Sequence, residues 1–167
     1  ALDVTNPELY CSRSLAIDKD GTIWMAHGLK GVFHLKLTEN YDSILHVDFY
    51  NSKNSPLNDY AVNMAKTSLG ILFNSGENTF KYNNVINRFD SITSFSSYDN
   101  KLTISFLKED ADGDLWYFAN NSAGVLRKQE DGTYNQIDLP FRPLEGSFVN
   151  GFEFVYPFNK KNVIFGT

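Results

Sequence analysis

Cysteine is almost missing from this chain. Cys11 stands alone among 167 residues, so no internal disulfide can form, and cysteine usage leaves both cytoplasm and periplasm open as compartments. No stretch approaches the roughly 18 consecutive apolar residues of a membrane span, and residues 1–10 lack the basic start and apolar middle of a signal peptide. The chain also begins without methionine, and it is expected to be a processed or excised segment. Basic runs are absent too. With a net charge of -5 there is no electrostatic footprint for a phosphate backbone or an anionic bilayer, so nucleic acid is not an expected partner of this segment. Clean three-to-four apolar spacing is missing as well, which predicts very little helix.

What is present is aromatic and β-prone. Phe, Tyr and Trp make up 15% of the chain, beside abundant Val, Ile and Thr. The stretch 16–37 holds two such runs, Ile23-Trp24-Met25-Ala26 and Val32-Phe33-His34-Leu35, set off by Asp20-Gly21 and by Gly28-Leu29-Lys30-Gly31. It reads as a hairpin unit with a tight two-residue Asp-Gly turn.

The unit recurs. Placing Gly21 over Gly113, a shift of 92, puts Asp18 on Asp110, Asp20 on Asp112, Ile23 on Leu115 and Trp24 on Trp116. A middle copy, without the acidic residues, fits 66–76, with Gly70 as the turn glycine, Leu72 at the aliphatic position and Phe73 at the tryptophan position. Each step has room for four short strands. Blades are therefore predicted at about 14–50, 60–92 and 102–138, with an incomplete one at 149–167, joined by polar segments at 51–56, 94–100 and 140–146. Within them the last strand of the second blade is expected over 86–92, and the first strand of the fourth over 149–156, before a turn at 159–162.

Strands apolar on both faces must be covered on both sides. The prediction is therefore all-β: a β-propeller fragment of about three and a half four-stranded antiparallel blades. A β-sandwich of about a dozen strands is the alternative, but it gives no reason for the Trp24 and Trp116 motifs to recur in register. A free propeller needs at least four blades to close, so two copies are expected to associate into a homo-oligomer, twice three and a half being seven.

The words at 18–35, Asp-x-Asp-Gly-x-Ile-Trp-Met-Ala-x-Gly-x-x-Gly-Val-Phe-x-Leu, resemble the repeat of the two-component regulator propeller family. The runs Asp110-Ala-Asp-Gly-Asp-Leu-Trp-Tyr-Phe-Ala and Ser55-Pro-Leu-Asn-Asp-Tyr-Ala-Val-Asn are similar to it. So are Gly151-Phe-Glu-Phe-Val-Tyr-Pro and Asn162-Val-Ile-Phe-Gly-Thr, which look like the terminal blades before a three-tyrosine domain. Ala26-His27 and Ala119-Asn120 depart from the family's Gly-Thr pair. The resemblance implies the periplasmic or extracellular sensor of a bacterial hybrid histidine kinase or related regulator, often concerned with oligosaccharides. Membrane contact would come only through other parts of the parent. A small molecule or oligosaccharide would then be the ligand, with no cofactor and no enzymatic activity. The alternatives are a protein-interaction scaffold and a polysaccharide-active propeller enzyme.

Candidate site residues are few. Asp110, Asp112 and Asp114 form an incomplete calcium loop, with Leu115 and Asn121 where an EF-hand needs Gly and Glu, so a hairpin turn is expected and no metal. His27, His34 and His46 lack zinc spacing. Only His27, at a strand end, is kept as a ligand contact. No nucleophile elbow or phosphate loop occurs, no carboxylate pair stands out, and no catalytic residue is assigned. Trp24, Phe73 and Trp116 are expected in the core between blades. The loop aromatics Tyr60, Tyr98 and Phe148 join His27 as candidate ligand contacts.

Overall fold

The computed structural model describes residues 12–92, 102–120, 122–137, 154–159 and 162–166, and every regular element among them is a strand. The first sheet holds β1 (Ser12–Ile17), β2 (Ile23–His27), β3 (Gly31–Leu37) and β4 (Ile44–Tyr50). The second holds β5 (Asn63–Thr67), β6 (Gly70–Ser75), β7 (Asn78–Asn83) and β8 (Arg88–Ser91). The third holds β9 (Ile104–Glu109), β10 (Leu115–Ala119), β11 (Ser122–Lys128) and β12 (Tyr134–Ile137). β13 (Phe154–Asn159) and β14 (Asn162–Gly166) form a final hairpin. Each sheet is an antiparallel meander in chain order, and the first strands touch in succession, β1 on β5, β5 on β9 and β9 on β13. Meanders stacked around their first strands make a β-propeller fold.

Three clusters hold the stack together, one at each junction. Trp24, Ala26 and Val32 of the first blade meet Ile71, Phe73, Phe80 and Phe89 of the second. Ala65 and Leu72 of the second meet Leu107, Leu115, Tyr117 and Leu126 of the third. Phe118, with Phe106 and Trp116, meets Val155, Val163 and Phe165. Each blade thus has a leading face turned to the next blade and a trailing face turned to the previous one. Alternate residues of each strand supply the two faces.

That alternation corrects the alignment of the middle repeat. Phe73 does not take the tryptophan position; it lies on the trailing face, with its ring 4.9 Å from that of Trp24. Leu72, fully buried against the third blade, is the counterpart of Trp24. The reason is loop length. Asp18 N–H donates to Thr22 O at 2.9 Å, closing a loop of Lys19, Asp20 and Gly21, whereas Thr67 pairs directly with Gly70 around Ser68 and Leu69 alone. Aligning the glycines therefore slips the strand by one residue, and a one-residue slip exchanges the faces. The first turn also differs from the two-residue hairpin expected at Asp20-Gly21: it is the three-residue kind, ending in a left-handed glycine (Gly21, φ 83°).

The same closure recurs at Asp110–Asp114 and at Gln129–Thr133. Asp110 Oδ1 accepts from the Asp112 and Asp114 N–H groups at 3.0 Å, and its Oδ2 accepts from Trp116 Nε1 at 2.8 Å. That carboxylate is spent on the turn and the strand behind it. In the second blade the last strand starts later than the expected residue 86, because Asn83 Oδ1 holds the Val85 N–H and Asn87 turns left-handed (φ 52°). In the fourth, the first strand is described from Phe154 and runs on through Pro157 to Asn159; positions 149–153 lie outside the described residues.

Gly31 shows how closely the outer strands approach. Its φ is 111°, and a Cβ there would collide with the backbone carbonyl oxygen of Tyr50 on β4. Gly132 has φ 82° but open space around it. Gly132→Ala is expected to cost about 1–2 kcal/mol, the strain of a left-handed alanine. Gly31→Ala should cost clearly more in the same urea titration; equal costs would show that β4 yields freely.

Candidate functional site

The loops divide between two ends of the blades. The lower end carries the turns between first and second strands; the upper end carries the turns between second and third strands and the joints between blades. His27 and Tyr60 both belong to the upper end. His27 is only 2% exposed, and its Nδ1 accepts the Leu29 N–H at 3.1 Å, so the ring folds into its own turn. Tyr60 is 63% exposed. It rides on a joint fixed on both sides: Leu57 and Val62 are buried, the Asn58 N–H donates to Ser75 Oγ at 2.8 Å, and the Ser52 N–H donates to Asp59 Oδ1 at 2.9 Å. Ala61 next to it is left-handed, φ 55°. A rigid joint presenting an aromatic ring suits a contact residue. Tyr98 and Phe148 lie outside the described residues.

Beneath this end, the first junction is lined with rings. Trp24 stacks on His34 with centroids 3.8 Å apart and planes 8° from parallel, and meets Phe73 and Tyr82 edge-on at 4.9 Å. The hydroxyls of Tyr50 and Tyr82 hydrogen-bond across the junction at 2.7 Å. Burial, with that bond, pushes the Tyr50 phenol up. Burial also lowers the pKa of His34, outweighing the carboxylates of Asp48, Asp20 and Asp18, which favour its charged form. His34 is therefore a neutral partner for the indole face at neutral pH. Sequence reasoning assigned Trp24 to the core but missed His34, Tyr50 and Tyr82. Strand alternation carries part of that signal, since Trp24 and His34 sit opposite each other in register.

At the lower end the junction opens into a cleft of about 250 Å³ between the Asp18–Asp20 loop and the short Ser68–Leu69 turn. Asp18, Lys19 and Asp20 of the first blade and Lys81 and Asn84 of the second line it, with the rings of Trp24, Phe73 and Tyr82. Burial raises the Asp20 carboxyl, but the Thr22 hydroxyl and N–H, with the His34 ring, hold it below the usual range. A second cleft, about 410 Å³, runs along the outer rim past Tyr50, Pro56, Arg88 and Phe89. The first cleft carries side chains of both charges, Asp18, Lys19, Asp20 and Lys81, beside aromatic rings, a lining that suits a polar molecule better than a hydrocarbon. Among the described residues, no three His, Cys, Asp or Glu side chains gather as metal ligands.

No protein-family model matches this chain, and no curated protein matches it significantly. Solved structures do. The extracellular domain of BT3049, assigned as a hybrid two component system of B. thetaiotaomicron, aligns over 93% of this chain with TM-score 0.60 and 19% identity. The extracellular domain of BT4673, assigned likewise from the same organism, aligns over 84% with TM-score 0.52 and 18% identity. A streptogramin B lyase aligns over 78% with TM-score 0.50 and 20% identity. The chain spans 20% and 19% of the two extracellular-domain chains and 41% of the lyase. At these identities the likeness establishes a shared fold.

Two measurements check the junction. In a double-mutant cycle, Tyr50→Phe and Tyr82→Phe should each cost about 1 kcal/mol, the double variant less than their sum; strict additivity would mean the hydroxyls are independent. The depressed pKa of His34 means that the unfolded chain takes up its proton first as pH falls through about 6.5. Stability due to this ring is therefore complete above that pH and lost on acidification toward the folded pKa. The melting temperature should fall across that window, less steeply in His34→Gln; an unchanged slope would place the titration elsewhere.

Proposed function

We propose that this chain is a segment of the ligand-sensing propeller of a bacterial two-component signalling protein of the hybrid histidine kinase kind, lying outside the cytoplasm. The observation that carries this reading is the alignment with two extracellular domains of such systems over 93% and 84% of the chain. Repeat words at 18–35 and 110–128 that resemble the two-component regulator propeller family support it. In this reading the segment is non-catalytic. A small molecule or oligosaccharide settles against the clefts of the first junction or the upper-end loops around Tyr60, favours one blade arrangement, and so shifts an equilibrium that the rest of the protein reads.

The match to a streptogramin B lyase favours a second reading, a propeller enzyme. One titration separates them. A panel of defined oligosaccharides is incubated with the protein, melting temperature is recorded, and the sugars are recovered for mass spectrometry. A sensor gains about 2.7 kcal/mol at a hundredfold excess over Kd and returns its ligand unchanged, and Asp20→Asn with Lys81→Met removes the gain if the lower cleft is used. Turnover of the sugar would install the enzyme reading instead. A parent gene whose frame encodes no membrane span would end the signalling claim.

A further inference from the structure

One turn of the second blade faces two junctions at once. Only Ser68 and Leu69 separate the paired residues Thr67 and Gly70. The turn is braced from within, since Thr67 Oγ1 accepts the Leu69 N–H at 3.2 Å and donates to Gly70 O at 2.9 Å. So short and braced a turn has little freedom to deform inside itself, and it shifts as a unit. Leu69 and Gly70 line the first-junction cleft, across from the Asp18–Asp20 loop. Leu69 also packs against the cluster of the second junction. Beside it, Ser68 gives both its donors, the N–H and the hydroxyl, to the carboxylate of Glu109 at the end of β9. Ser68 is exposed, so this clasp exchanges with water, and its made and broken forms lie close in free energy.

We propose that the Ser68–Leu69 turn couples the two junctions: a group filling the first cleft presses the turn toward the third blade and favours the Ser68–Glu109 clasp. A broken clasp, conversely, lets the turn lean into the cleft. Such coupling is reciprocal, so the clasp strengthens binding in the cleft by the same factor as occupancy strengthens the clasp. The clasp is the two-state element that both junctions bias. Its effect has a route onward: the next residue, Asp110, holds Trp116 Nε1 at 2.8 Å, and Trp116 packs at the third junction. As the path of a sensed signal this rests on the proposed function. As a mechanical link it is a property of the fold and is measured without the natural ligand.

A tethered group fills the cleft for the test. In a Cys11→Ser background, Asn84→Cys at the cleft is modified with benzyl methanethiosulfonate, and nuclear Overhauser contacts from the benzyl ring to Tyr82 verify its seat. Amide hydrogen exchange is then followed by NMR. The Ser68 N–H, which Glu109 holds, should exchange at least threefold more slowly than in the same protein carrying a methyl tag. The Thr133 N–H, held by Asp131 in an equally exposed turn of the third blade, should keep its rate. Glu109→Ala should abolish the response at Ser68. Lys81→Trp fills the cleft from the second blade and repeats the measurement should the benzyl group turn to solvent. A filled cleft with unchanged exchange at Ser68 overturns the proposal. So does an equal slowing at Thr133, which is general stiffening, or a response that persists without Glu109. A protein that shows the coupling but binds none of the oligosaccharide panel keeps this inference while losing the sensing one.

Discussion

Trp24 is held on two sides at once, by the His34 ring within its own blade and by Phe73, Tyr82 and Phe89 from the next. The rest of the array depends on contacts of this form. A four-stranded meander has two apolar faces and cannot bury either alone, so the blade is a unit of geometry and the junction between blades is the unit of stability. Fully burying an aromatic ring contributes on the order of 2–3 kcal/mol, and the first junction concentrates several such rings.

The junctions are not alike. Between the second and third blades, both carboxylate oxygens of Glu109 are taken by Ser68, one by its N–H and one by its hydroxyl, each at 2.5 Å. Between the first and second blades the corresponding place is the open cleft faced by Asp18 and Asp20. The short turn that gives Glu109 its partner on one side leaves space on the other. The cleft and the clasp thus lie on opposite sides of one short turn.

Much of this architecture was legible in the sequence. The paired Asp-x-Asp-Gly words located two of the lower-end turns, and apolar residues on both faces of the strands demanded neighbours on both sides. The alignment of the middle blade was not legible, because glycine was used as the anchor and glycine does different work in the two loops: Gly21 ends a loop, while Gly70 begins a strand. The site was less readable still. His34 and Tyr82 look like ordinary strand residues until the register places them around Trp24. His27 sits at a strand end as expected, but whether such a ring faces solvent or its own turn is settled by a single hydrogen bond to Leu29.

The one-residue difference between the first two lower turns has a consequence for how such a chain can change over generations. Loop length and strand register are separate variables here. The second blade's turn is one residue shorter than the first's, yet Leu72 takes the face of Trp24 and Phe73 the face of Met25, because the loop absorbs the difference and the strand pairing beyond it is kept. A codon lost from such a turn therefore leaves both faces of its blade in place, whereas one lost inside a strand exchanges the faces beyond it.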